Sequence, residues 1–233
     1  MPGRRMEIAE KMLSYSLHLW YNGREKGGIG MKYVLVIMIA YLMGCSNMAL
    51  YLSRWKKLDI QSAGSGNLGA SNATILMGWP AGIATAVHDI GKSALAVILA
   101  RLLFPQAEYI GAVAGVACVL GHIFPFYLKF KGGKGFASYI GMTLALNWKF
   151  ALVVLAAVVI VTLVTDYIVA GTMTTITVVP IYLGIAQRSW ILALILLVAT
   201  GVIVYKHWEN FGRILNGTEI GLRSAAKGEH RIK

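Results

Sequence analysis

The sequence predicts an all-α protein, a polytopic transmembrane helix bundle of about seven spans, and three observations support that prediction. Of its 233 residues, 57% are apolar and only 14% are charged, a balance outside the usual range of water-soluble domains. Apolar runs such as Ala151 to Val164 and Ile191 to Tyr205 approach the roughly 20 residues a helix needs to cross a bilayer. The remaining charges fall between such runs, so the net charge of +12 reflects topology and not a nucleic-acid partner.

Residues 1–30 stand apart from the bundle. They mix polar and aromatic residues, contain no run of spanning length and show no cleavable signal pattern. Lys26-Gly27-Gly28 is what a purine-rich ribosome-binding sequence would encode, so translation is expected to begin at Met31. The stretch is accordingly an extension, untranslated or disordered, and residues 31–233 form a single membrane domain. Peptides from residues 1–30 in the natural product, detected by mass spectrometry, would overturn this.

Apolar runs set against charged breaks place spans near 33–52, 80–104, 109–128, 135–147, 149–165, 167–186 and 190–206. The fourth is too short to cross upright at 1.5 Å per residue, so tilting, re-entry or extension by the preceding loop is expected. Seven spans put loops 53–79 and 129–134, the joint at Asp166 and the tail after 205 on one side. Arg54, Lys56, Lys57, Lys129, Lys131, Lys134, Lys206, Arg213, Arg223, Lys227, Arg231 and Lys233 fall there, against Lys32, Lys149 and Arg188 opposite. This bias predicts that the basic face and the C-terminus are cytoplasmic.

Within loop 53–79, Gly64-Ser65-Gly66-Asn67-Leu68-Gly69-Ala70-Ser71-Asn72 alternates glycines with small polar residues just before a span. Backbone without Cβ atoms lets peptide N–H groups converge on an anion, and Ser65, Asn67 and Asn72 can add side-chain donors. The same composition also suits a flexible loop that ends in a helix cap. In the second span, Asp89 and Lys92 lie three residues apart, on one helical face, and are expected to pair because an isolated charge at mid-membrane costs about 2.5–3.5 kcal/mol. His88 beside them is read as a packing residue. His122, in Gly121-His122-Ile123-Phe124-Pro125 at the end of the third span, can donate to a phosphate or take up a proton.

The basic loop follows at once. Lys129-Phe130-Lys131-Gly132-Gly133-Lys134-Gly135 places three cations around a glycine pair, directly before Phe136-Ala137-Ser138 starts a helix. A phosphate at that helix start would meet backbone donors, the positive end of the helix dipole and Lys134 together. The order GxxxxGK[ST] is absent, so ATP hydrolysis is not indicated. After the last span, His207, Asn210 and Arg213 recur at three-residue intervals, and Glu219 can order the tail by pairing a cation. Cys45 and Cys118 fall in apolar runs without CxxC spacing, which gives no reason to expect a metal site or a cofactor.

Taken together and in this order, GSGNLGASN, HDIGK, GHIFPFYLKFKGGKG and HWENFGRILNGTE resemble the bacterial acyl-phosphate:glycerol-3-phosphate acyltransferases, over nearly the whole chain from Met31. The resemblance implies a multi-pass enzyme of the bacterial cell membrane that makes lysophosphatidic acid for phospholipid synthesis, with acyl phosphate and glycerol-3-phosphate as substrates and membrane lipids around it. It implies substrate binding by Ser65, Gly66, Asn67, Asn72, Lys92, Lys131, Gly132 and Gly133, catalytic roles for His122, Lys134, His207 and Asn210, and a structural role for Glu219. Three positions depart from the family's pattern. Cys45 and Gln61 stand where a Ser and an Arg are usual, and Asp166-Tyr167-Ile168-Val169-Ala170-Gly171-Thr172 replaces an Arg-Tyr-x-Ser-x-x-Ser segment. A catalytically altered or inactive paralogue is therefore the first alternative. A transporter of organic phosphates or phospholipids is the second, although no inverted repeat is visible.

Overall fold

The computed structural model describes residues 30–226, so the expected extension lies outside the described residues except for Gly30, as do Lys227, Arg231 and Lys233. All regular elements among the described residues are helical. They are α1 (30–45), α2 (Met48–Trp55), α3 (Ala70–Met77), α4 (Trp79–Leu103), α5 (Ile110–Ile123), α6 (Phe136–Leu146), α7 (Trp148–Thr165), α8 (Ile168–Ala186), α9 (Trp190–Lys206), α10 (Trp208–Leu215) and α11 (Leu222–Ala226), with a 3₁₀ turn at Phe126–Leu128.

Five helical stretches are long and apolar enough to cross a membrane: Gly30–Trp55, Trp79–Leu103, Ile110–Leu128, Trp148–Thr165 and Ile168–Ala186. A sixth is counted if α9 and α10, bent by 44° at His207, form one span. The expected count of about seven is thus not reached by length alone. The difference is α6, whose 11 residues rise only about 16 Å against a hydrocarbon core of about 30 Å. Two further departures are local. The first expected span breaks at Ser46-Asn47, where the Asn47 side chain caps α2 by accepting from the Leu50 N–H at 2.9 Å. The polar loop 53–79 contains a helix, α3, too short to register as an apolar run.

Hydrogen bonds at the two ends of the bundle alternate along the chain. At one end Tyr33 meets Glu108, Arg101 donates to the Ala145 carbonyl at 2.8 Å and Ser189 to the Tyr109 hydroxyl at 2.9 Å. At the other, Gln61 reaches Lys131, Lys134 reaches Asn210 and the Arg223 N–H reaches Asp166. The loops expected to share a face therefore do so, and that face is the basic one.

Close helix packing follows from small residues. A Cβ at Gly44 would overlap the Cys118 carbonyl, and one at Gly121 would overlap the Tyr41 carbonyl, so α1 and α5 approach through opposed glycines. Gly141 does the same for α6 against Ile90 of α4. The largest core unites α5, α6, α8 and α9 around Ile123, Tyr139, Met142, Ile176 and Leu196. The outward faces remain apolar, with Val164 76% exposed and Ile185 73% exposed, as lipid-facing surface requires.

Candidate functional site

The glycine-rich segment is a loop closed from within. Gly64 and Gly66 sit at φ +60° and +66°, a region L-residues seldom occupy, and this lets the chain turn twice before α3. Asn72, fully buried at the start of α3, holds the turn: its Oδ1 accepts from the Ser65 N–H at 3.0 Å, and its Nδ2 donates to the Ala63 and Ile60 carbonyls at 3.2 and 3.3 Å. Asn72 therefore faces into the loop it was expected to help present. Ser65 is exposed, Gly66 and Asn67 are half-buried, and these remain on the outer side.

The basic loop is tied down in the same way. The Gly132 N–H donates to the Ile123 carbonyl at 3.0 Å and the Gly133 N–H to the His122 carbonyl at 3.1 Å. A Cβ at Gly132 would overlap that His122 carbonyl, and one at Gly133 the imidazole itself. The glycine pair thus lets the chain fold back against the end of α5, and its own donors are engaged there. Lys129 and Lys131 stay exposed, and Lys134 is half-buried. Ser138, in the first turn of α6, is fully buried with no hydrogen-bond partner for its hydroxyl among the described residues. In the sequence Ser138 stands out only as part of a helix start; its place three residues after Gly135 was the available signal.

Two loops far apart in sequence meet here: the Gln61 Nε2 donates to the Lys131 carbonyl at 3.2 Å, which sets the glycine-rich turn beside the basic loop. The tail closes a third side. Lys134 donates to the Asn210 Oδ1, the Asn210 Nδ2 to the Glu219 Oε1 at 2.6 Å, and the Arg213 Nε to the Glu219 Oε2 at 2.6 Å. The expected cation partner of Glu219 is therefore Arg213. Burial lowers the Lys134 pKa, Arg213 lowers it further, and Glu219 opposes them.

His207 sits at the bend between α9 and α10, where it occupies the N-cap position of α10 and is buried like Asn210. Its Nδ1 donates to the Ile203 carbonyl at 2.8 Å, which leaves Nε2 as the lone-pair nitrogen. Burial holds its pKa down at about 4. Asp166 is also occupied: it accepts from the Arg223 N–H at 2.9 Å, and its carbonyl accepts from the Leu222 N–H at 2.7 Å, which docks the tail on the α7–α8 joint.

Behind these loops lies a buried charged node. Lys92 is bonded to Asp89 at 2.7 Å, the pair expected from their spacing, and also to the Ser46 carbonyl at 2.7 Å and the His122 Nδ1 at 2.9 Å. His88 joins through the Ser46 hydroxyl, 3.0 Å from its Nε2, and that hydroxyl is 3.1 Å from the Tyr51 hydroxyl. Ser46 and Tyr51 gave no sequence signal, because they become polar partners only where α1 breaks. Among the described residues no cluster of His, Cys, Asp and Glu suits a metal ion, and Cys45 and Cys118 are both free and buried.

Residues 34–217 match the family model described as glycerol-3-phosphate acyltransferase. A glycerol-3-phosphate acyltransferase of Coxiella burnetii (strain CbuG_Q212) is 39% identical over 190 residues, covering 81% of this chain and 97% of that protein. One from Lactiplantibacillus plantarum is 35% identical over 190 residues, covering 81% and 91%. The crystal structure of PlsY (YgiH), an integral membrane glycerol 3-phosphate acyltransferase, in its glycerol 3-phosphate form superposes with a TM-score of 0.78 at 27% identity, covering 84% of this chain and 98% of that one. Its lysophosphatidic acid form gives 0.74 at 28% identity, covering 81% and 94%. With the family model matched over residues 34–217 and a relative 39% identical over 190 residues, this chain belongs to the glycerol-3-phosphate acyltransferase family.

Proposed function

We propose that this protein transfers a fatty acyl group from acyl phosphate to a hydroxyl of glycerol-3-phosphate, releasing lysophosphatidic acid and inorganic phosphate at the cytoplasmic face of a bacterial cell membrane. The observation that supports this best is the convergence of three distant segments through Gln61–Lys131 and Lys134–Asn210–Glu219–Arg213. Two phosphorylated substrates need separate anion sites side by side, and the glycine-rich turn, the basic loop and the tail meet at one place. The solved relatives, one in a glycerol 3-phosphate form and one in a lysophosphatidic acid form, bracket the same acceptor and product.

An acyl phosphate is a mixed anhydride with a good leaving group, so direct attack suffices and no acyl-enzyme is required. The acceptor oxygen forms the new bond to the acyl carbon, the bond from that carbon to the phosphate oxygen breaks, and phosphate departs with the electron pair. Lys131 and Lys134 neutralise the phosphates, Ser65 and Asn67 orient them, Gly66, whose N–H is bonded to the Ala63 carbonyl at 3.1 Å, shapes the turn, and Asn210 and Glu219 fix the Lys134 ammonium. Gly132, Gly133 and Asn72 act by shaping the loops. With a pKa of about 4, His207 is a weak base near neutral pH. The hydroxyl proton passes more readily to a substrate phosphate oxygen, whose pKa lies near 6.

Purified full-length protein in lipid nanodiscs, given acyl phosphate and radiolabelled glycerol-3-phosphate, should release lysophosphatidic acid and phosphate together. Flux of glycerol-3-phosphate into liposomes without that product would favour a transporter. Neither product nor flux would favour an inactive paralogue.

A further inference from the structure

The buried node specifies more than a charge balance. An ammonium group has three N–H donors, and the three hydrogen bonds of Lys92, to Asp89 at 2.7 Å, to the Ser46 carbonyl at 2.7 Å and to the His122 Nδ1 at 2.9 Å, use all of them. Lys92 is buried and has no donor left for a substrate. Its bond to His122 fixes the imidazole, because a nitrogen that accepts from an ammonium presents a lone pair and carries no proton. The ring is then neutral, and its proton sits on Nε2. The Asp89 carboxylate lies farther from the same Nδ1, at 3.3 Å, than the ammonium at 2.9 Å, and an ammonium has no lone pair with which to accept from an N–H.

Nε2 points at the basic loop. A Cβ at Gly133 would collide with this atom, and the Gly132 and Gly133 N–H bonds to the Ile123 and His122 carbonyls hold the loop across the ring. We infer that Asp89 and Lys92 are positioning residues that lock His122 as a hydrogen-bond donor facing the basic loop, so that His122 steadies an anion held there and does not accept the proton of the acceptor hydroxyl. The inference rests on the proposed reading of that loop as a phosphate site.

The test reads the tautomer directly. Full-length protein labelled with ¹⁵N-histidine in lipid nanodiscs should show His122, assigned by the loss of its signals in H122N, with Nε2 protonated and Nδ1 bare. In K92M the freed Nδ1 can donate to Asp89, and the proton should move to Nδ1; K92R, which retains donors, should keep it on Nε2. A wild-type His122 protonated on Nδ1, or on both nitrogens, overturns the inference, as does a K92M spectrum identical to wild type. If K92M does not fold, the wild-type and K92R spectra still decide. In turnover, H122N should lower kcat/KM by about 10- to 150-fold, the loss of one charged hydrogen bond, and H122Q, whose amide can place a donor near the Nε2 position, should lose less. Equal losses in H122Q and H122N would point to a base and against the inference. The tautomer is measured without turnover, so an inactive protein with a locked Nε2–H defeats the acyl-transfer reading alone, and an active one with Nδ1–H defeats this inference alone.

Discussion

Two charged clusters in this protein use similar chemistry to opposite ends. Asp89, Lys92 and His122 lie inside the bundle, and all three donors of the lysine are engaged. Lys134, Asn210, Glu219 and Arg213 lie at its edge, where Lys134 gives one hydrogen bond to Asn210 and Arg213 gives one close bond to Glu219. The Arg213 side chain is also 37% exposed. In the inner cluster the lysine is closed and serves to hold His122 in place; in the outer one Lys134 and Arg213 keep donors for a ligand. A cation in a membrane protein is therefore assigned to scaffold or site by its unsatisfied valences, not by its charge.

The largest expected effect would break the inner cluster. D89A leaves the Lys92 ammonium uncompensated in the interior and should destabilise the protein by about 3–5 kcal/mol, read as a fall in thermal stability in detergent. An unchanged transition would mean that the node is not structural. At the edge, K134A should leave stability nearly intact but lower kcat/KM by about 1.5–3 kcal/mol in transition-state terms. Equal kinetics would remove Lys134 from the site. His207 sharpens the contrast through pH. Its ordinary pKa near 6.5 falls to about 4 in the folded chain, so between those values the unfolded chain binds more protons. Its contribution to stability is complete above about pH 6.5 and fades as pH falls toward 4, and H207Q should flatten that part of a stability-versus-pH curve. The smallest effect belongs to the tail: Asp166 and Arg223 pair at 3.9 Å with the arginine 72% exposed, so R223A should change stability by less than about 1 kcal/mol in the same melting assay.

Much of the bundle was legible in the sequence because hydropathy is a property of contiguous residues. The α7, α8 and α9 helices fall within a few residues of their expected limits. Features set by neighbours distant in sequence were not legible. Asp89 and Lys92 announced their pairing by helical spacing, but the third partner, His122, comes from another helix 30 residues on. Asn72 looked like a donor for substrate because its type suits that role, and only the fold shows its amide turned inward. Gln61, which stands in place of a family arginine, gave no sign that it would join two loops 70 residues apart.

The brevity of α6 bears on where the chemistry happens. The helix ends at the one-residue joint, Asn147, from which α7 starts, and the adjacent Trp148 is exposed, the placement expected of an interfacial anchor. From there α7 rises about 27 Å and α6 only about 16 Å, so for helices of equal tilt Gly135 ends about 10 Å short of the level of Asp166. On the proposed reading the polar acceptor would descend into the bundle to meet the acyl phosphate, so the fatty chain need not be lifted into bulk water. A paramagnetic lipid label carried just below the headgroups should broaden a probe at Ser138 more than one at Asp166.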